Sequence, residues 1–270
     1  MTSCLIRVHG KLSFMIPSDI TFRHVPAGSI TLRNARTGTA RDVVLRTFQL
    51  AATPITVEQF GGTAGILTAD RPAAPVTWLD AIRWCNAASP TEGLSPAYTI
   101  ADDWVFWNPA ADGYRLPTEA EWEFACRAGT AGPTYGPLSE IAWTEADGVE
   151  SAQSVATKQP NDFDLYDMSG NVWEWCWDLA DPARYGRYRS LRGGGWADPT
   201  WSCRVSVRRG SAPDAVIDDV GFRPARGTVG DPGATEAQGW SDKEDRARAN
   251  PRGLVPFGWT PLKDFPTNSI

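Results

Sequence analysis

Apolar and polar positions alternate over residues 22–32, with a break at Pro26, Ala27 and Gly28, which predicts a strand, a turn and a second strand. Residues 42–50 read as a further strand, and residues 54–60, opened by Pro54, as the start of a short helix. The helical period is clearest after Thr77, where Trp78, Ile82 and Cys85 fall on one face and Thr77 and Asp80 form a capping pair. Thr118 and Glu121 repeat that device, with Trp122 and Cys126 facing inward and Glu123 placed to pair with Arg127 one turn on. Glu119, Glu121 and Glu123 are accordingly read as capping and solvated positions rather than catalytic ones.

After Gly129 the periodicity fades and Gly and Pro recur every few residues, the pattern of long ordered loops around a small core. The expected organisation is a lead-in over residues 1–20, one domain over residues 21–226 and an extension over residues 227–270. Residues 230–250 are polar and charged, so the extension is expected to be partly mobile or loosely docked, with residues 254–259 packing back onto a groove.

Composition sharpens this reading in three ways. Thirteen Trp among 270 residues point to a loop-rich α+β domain filled by large flat side chains, with little regular secondary structure. A net charge of -6 excludes a general phosphate-backbone binder, and hence a nucleic-acid partner. Arg7, His9 and Lys11 interrupt any signal-peptide core and no run reaches membrane-spanning length, so a cytoplasmic location without a membrane partner is expected. The five cysteines, Cys4, Cys85, Cys126, Cys176 and Cys203, read as buried reduced thiols. Only two histidines, His9 and His24, argue against a His-rich zinc or iron centre.

Four motifs occur in order: Gly113-Tyr114-Arg115-Leu116-Pro117-Thr118-Glu119-Ala120-Glu121-Trp122, Gly170-Asn171-Val172-Trp173-Glu174-Trp175, Arg192-Gly193-Gly194-Gly195-Trp196 and Gly221-Phe222-Arg223. Together they resemble the sulfatase-modifying-factor family, whose namesake is the formylglycine-generating enzyme. The resemblance covers residues 22–226 and implies a single domain related to the C-type-lectin fold.

Asp167 and Glu174 offer carboxylates on either side of a tight Ser169-Gly170-Asn171 turn, as a hard cation requires. By resemblance, Asp167 and Glu174 would bind calcium through side chains, and Gly170 and Val172 through carbonyls. The alternative is that these carboxylates satisfy loop amides and neighbouring arginines. By resemblance again, Gly193, Gly194, Gly195 and Trp196 line a substrate cleft, with Trp173 behind them. Arg204 or Arg208 would fix an anionic group there. A purely structural turn at the glycines stays open.

The namesake oxidises a substrate cysteine with copper(I) held by two cysteines five residues apart. Here the matching stretch contains Cys203 alone, which argues against copper. The family's commoner pattern puts this cysteine on a buried strand; Cys176 is the one substitute partner. Arg223 reads as a structural ion-pair residue.

Three functions follow as expectations. One is an atypical oxidative modifier of a peptide or small acidic molecule in a calcium-supported cleft. The others are a non-catalytic ligand- or protein-binding module on the same fold, and an authentic formylglycine-generating oxidase.

Overall fold

The computed structural model describes residues 19–34, 38–61, 68–102 and 104–265. Cys4 and His9 lie outside these residues, as does nearly all of the lead-in. Strand β1 (Phe22–Val25) pairs antiparallel with β4 (Phe48–Ala51), and β4 takes β11 (Ala225–Arg226) on its other edge. The two ends of the expected domain thus close on one small sheet. Between them β2 (Gly28–Asn34) and β3 (Thr39–Leu45) form a separate antiparallel ribbon. The single strand expected over residues 42–50 is therefore two, split at Arg46 and Thr47. There the Arg46 amide donates to Gln238 Oε1 at 2.8 Å and the Thr47 hydroxyl to the Val25 carbonyl at 3.0 Å.

Residues 54–60 form a turn and not a helix. Thr56 and Gln59 exchange backbone-to-side-chain hydrogen bonds at 3.1 and 3.2 Å, and Thr56 bridges to Pro72. Such local bonds offer the backbone an alternative to the helical ladder. Helix α1 (Trp78–Ala88) does form where expected, with Thr77 accepting from the Asp80 amide and Trp78, Ile82 and Cys85 buried. A hairpin of β5 (Tyr98–Ala101) and β6 (Trp104–Trp107) follows. Helix α2 (Glu119–Arg127) carries the full capping box of Thr118 and Glu121.

The short helix α3 (Leu138–Ile141) leads into loops that end at β7 (Trp173–Leu179), a strand buried at every position. After α4 (Pro182–Tyr185), β8 (Arg189–Arg192) and β9 (Arg208–Ser211) complete a sheet with β7, which β10 (Val220–Gly221) joins in parallel. One apolar core runs from α1 through β7 to Phe222. The α+β, loop-rich architecture is as the sequence implies.

The extension is better seated than its composition suggests. Strands β12 (Glu236–Ala237) and β13 (Trp240–Ser241) lead to helix α5 (Asp242–Ala249), and Trp240, Asp245 and Ala249 are buried. Of residues 254–259, Leu254 and Phe257 are fully exposed, while Trp259 is half-buried with the Arg184 guanidinium over its ring at 5.8 Å. The Thr260 and Leu262 amides bond to the Arg184 and Pro182 carbonyls at 3.0 and 2.9 Å. Backbone bonds at the edge of α4, together with Trp259, anchor the tail.

Candidate functional site

The turn between Asp167 and Glu174 is tight because Asp167, Gly170 and Asn171 all adopt positive φ. A Cβ on Gly170 would lie 2.2 Å from the Trp143 carbonyl, so only glycine fits. Asp167 is buried and accepts from the Ala156 amide at 2.8 Å and from Asn171 Nδ2 at 3.2 Å. Burial pushes its carboxyl upward, opposed by these bonds and by Arg223. Glu174 is fully buried and accepts from Arg223 Nε at 2.9 Å, from the terminal guanidinium nitrogen at 2.7 Å and from Trp122 Nε1 at 2.7 Å.

A calcium ion would need oxygens with free lone pairs. The Met168 and Val172 carbonyl oxygens come within 3.6 and 3.7 Å of the point where a Gly193 Cβ would sit, and Asp167 has spare acceptor capacity. Glu174 does not fit, because Arg223 and Trp122 fill both its oxygens and a permanent cation already balances its charge. No group of three or more metal-binding side chains occurs among the described residues.

The three glycines sit against protein. Gly193 and Gly194 have φ of 101° and 81°. A Cβ on Gly194 would lie 2.6 Å from Cys203 Sγ, and one on Gly195 would lie 2.4 Å from Asp219 Oδ2. The face expected to be a cleft wall is closed by Ser202, Cys203 and Asp219. Trp196 is half-buried, its amide bonded to the Asn171 carbonyl at 2.8 Å. Trp173 is buried and donates from Nε1 to Asp198 Oδ2 at 2.5 Å, an oxygen that also accepts from the Gly195 amide at 2.9 Å. Asp198 stands five positions before Cys203, where the namesake would have its other thiolate. Its charge and, above all, burial raise the neighbouring Asp219 carboxyl.

Cys203 lies on a single turn of tight helix, Thr200–Cys203, and not on a strand. Burial, reinforced by Asp198, pushes its thiol up to about 12. Cys176 is in β7, surrounded by Glu119, Arg192, Asp178 and Glu174, and burial raises it further. Cys203 instead neighbours Asp198, Gly170 and Asp147, so the two thiols belong to separate environments. Cys85, Cys126, Cys176 and Cys203 are all free and buried.

The arginines part company as well. Arg204 is exposed, whereas Arg208 turns away from the glycines to pair with Glu119 and with Ser190 Oγ. The acidic face of α2 is buried rather than solvated: Arg192 binds Glu119 at 2.9 Å and Glu123 at 3.0 Å, and Arg115 holds Glu121 at 2.6 Å. Burial alone would raise Glu119, but Arg208 and Arg192 overcome it and hold the carboxyl at about 2. Asp178, which caps α2 by accepting from the Glu119 amide at 2.8 Å, is pushed up to about 7 by burial and by the Glu119 charge.

The structure also contains a feature the motifs do not announce. A cavity of about 440 Å³ lies between α1, the β5–β6 hairpin, β7, the approach to β8 and the extension. Trp78, Trp104, Trp107, Trp177 and Trp240 line it, with Arg187 and Arg189. The Trp count was its one sequence signal, and no spacing could have grouped residues so far apart in the chain.

Comparison with known proteins places this geometry. Residues 61–228 match the sulfatase-modifying factor enzyme 1-like domain. The chaperone protein LppX of Paenibacillus barcinonensis is 30% identical over 69% of this chain and 82% of its own length. The inactive C-alpha-formylglycine-generating enzyme 2 of Bos taurus is 35% identical over 58% of this chain and 60% of its own length. Among solved structures, Treponema denticola variable protein 1 aligns over 77% of this chain and 95% of its own with a TM-score of 0.69 at 29% identity.

Proposed function

The chain belongs to the sulfatase-modifying factor enzyme 1-like family, and on that premise we propose that it is a binding member of the family that performs no formylglycine chemistry. The observation that carries this reading is the pair Asp198 and Cys203. Copper(I) is a soft ion that selects thiolates. The position five before Cys203 is a hard carboxylate already engaged by Trp173 and Gly195. The remaining thiol is buried behind Gly194, and at about 12 it stays protonated at neutral pH. The glycine stretch that would flank a reacting cysteine is packed shut. That leaves recognition as the role, in keeping with a relative called inactive and another called a chaperone.

Incubation of a cysteine-containing sulfatase-type peptide with the protein and copper under air should yield no aldehyde by mass spectrometry. Aldehyde that disappears with Cys203→Ser would overturn the reading. No step is assigned to calcium, because Glu174 is held by Arg223.

A further inference from the structure

We propose that the tryptophan-lined cavity binds a small aromatic carboxylic acid, the apolar body against the indoles and the carboxylate on Arg187 and Arg189. The proposal deepens the binding reading by naming its ligand class.

Four observations converge on it. First, the cavity, about 440 Å³, is in the size range of small-molecule sites and has mostly apolar walls. Second, Arg187 and Arg189 stand two positions apart, just before and at the start of β8, and both line it. Neither pairs with a carboxylate among the described residues. The Arg187 guanidinium stacks over Trp104 at 4.0 Å, and that of Arg189 over Trp78 at 3.9 Å and Trp177 at 4.9 Å. Arg189 donates from Nη1 to the Trp177 carbonyl at 2.6 Å, leaving Nε and Nη2, while stacking on Trp104 leaves the edge N–H donors of Arg187 available to an anion. Third, Trp107 Nε1, Trp177 Nε1 and Arg189 Nε are buried donors that find no acceptor among the described residues, although Trp107 and Trp177 are 7% and 3% exposed. Buried donors of this kind carry a desolvation cost unless an acceptor arrives. Fourth, Tyr185 and Tyr188 stack on each other at 5.4 Å and stay 39% and 37% exposed where they line the cavity.

Of the acids that also line the cavity, Asp245 partly offsets the Arg189 charge, but none forms an ion pair with Arg187 or Arg189 among the described residues. Asp242 is paired with Arg246, and Asp245 with Arg248 and the Trp240 indole. Asp102 and Asp214 are exposed. Burial lowers Arg189 to about 10, still a cation at neutral pH.

Titration calorimetry with naphthoate and its neutral amide, naphthamide, on the whole chain tests the proposal. Naphthoate should bind about tenfold or more tightly than naphthamide, the effect of a charge-assisted bond in an enclosed site. Arg187→Met and Arg189→Met should each remove that preference, and Trp107→Phe, which keeps an aromatic ring but deletes the N–H donor with the five-membered ring, should weaken naphthoate more than naphthamide. If Arg189→Met fails to fold by circular dichroism, Arg187→Met carries the test, because the Arg187 guanidinium rests on the Trp104 ring and makes no ion pair among the described residues. Equal binding of acid and amide, no binding of either, or undiminished preference in Arg187→Met would each overturn it. The aldehyde assay reads the Cys203 region and this titration reads the cavity, so either idea can fail without the other.

Discussion

Around Glu174 and Asp198 the charged side chains meet partners from the same chain, Glu174 with Arg223 and Trp122 and Asp198 with Trp173 and Gly195, and Gly194 is packed against Cys203. In the tryptophan cavity three buried donors meet none among the described residues, and two arginines lean on rings without an acid. The first region carries the most conspicuous motifs and is closed. The second carries no motif and is open. In a fold built mainly of loops, recurring glycines and paired charges mark places where backbone must approach backbone. Unspent recognition chemistry can then sit elsewhere.

The sharpest way to break this comparison is to open the closed region. Arg223→Ala leaves Glu174 charged and unpaired in the core, and it also strips donors from the Ala51, Ala52 and Tyr166 carbonyls. Loss of one partner of such a pair costs about 3–5 kcal/mol, to be read from chemical denaturation; a loss under about 1 kcal/mol would show that water reaches Glu174. Gly194→Val comes next. It forces a branched side chain to φ of 81° and into Cys203, and should cost about 3 kcal/mol from strain and overpacking combined. Were the variant to keep wild-type stability, the glycines would face open space after all and the cleft-wall reading would return.

A smaller effect concerns pH. The folded Asp178 titrates near 7, above its unfolded value of about 3.9. Its stabilising contribution is therefore complete below about 4 and is lost as pH rises through 7. Asp178→Asn keeps an acceptor for the Glu119 amide without the charge. It should flatten the stability profile between about pH 4 and pH 7 and make the protein more stable than wild type at pH 8. Melting curves across that range decide the matter, and an unchanged slope would mean that Asp178 is already ionised in the fold. The smallest effect is the most pointed. With Glu174 neutralised by Arg223, chelation should leave the melting temperature unchanged within experimental scatter. A clear fall on chelation would restore calcium at Asp167, Gly170, Val172 and Glu174.

Local chemistry was legible before any coordinates. Thr77 and Thr118 cap their helices as read, because a cap involves residues three apart and depends on nothing distant. Arg223 proved structural, and the four described cysteines are buried thiols. Misreadings arose wherever a distant partner intervened. Glu119 and Glu123 look solvated on their own helix, yet Arg192 and Arg208 arrive from β8 and β9 to bury them. Arg208 looked free to serve a cleft until Glu119 took it. The helix expected at residues 54–60 lost to the Thr56 and Gln59 turn and to the bridge with Pro72.

By itself, then, the sequence determined the family, the helix starts at Thr77 and Thr118, the loop-rich character and the lack of a second cysteine at the spacing copper chemistry needs. These depend on residue identity and short-range order along the chain. Only the tertiary structure decided that the glycine wall is shut and that the tryptophans enclose a cavity with arginines that have no acid partner among the described residues. Whether a polar atom is satisfied depends on partners a hundred residues away, and one chain read in order does not show which of them will come within hydrogen-bond reach.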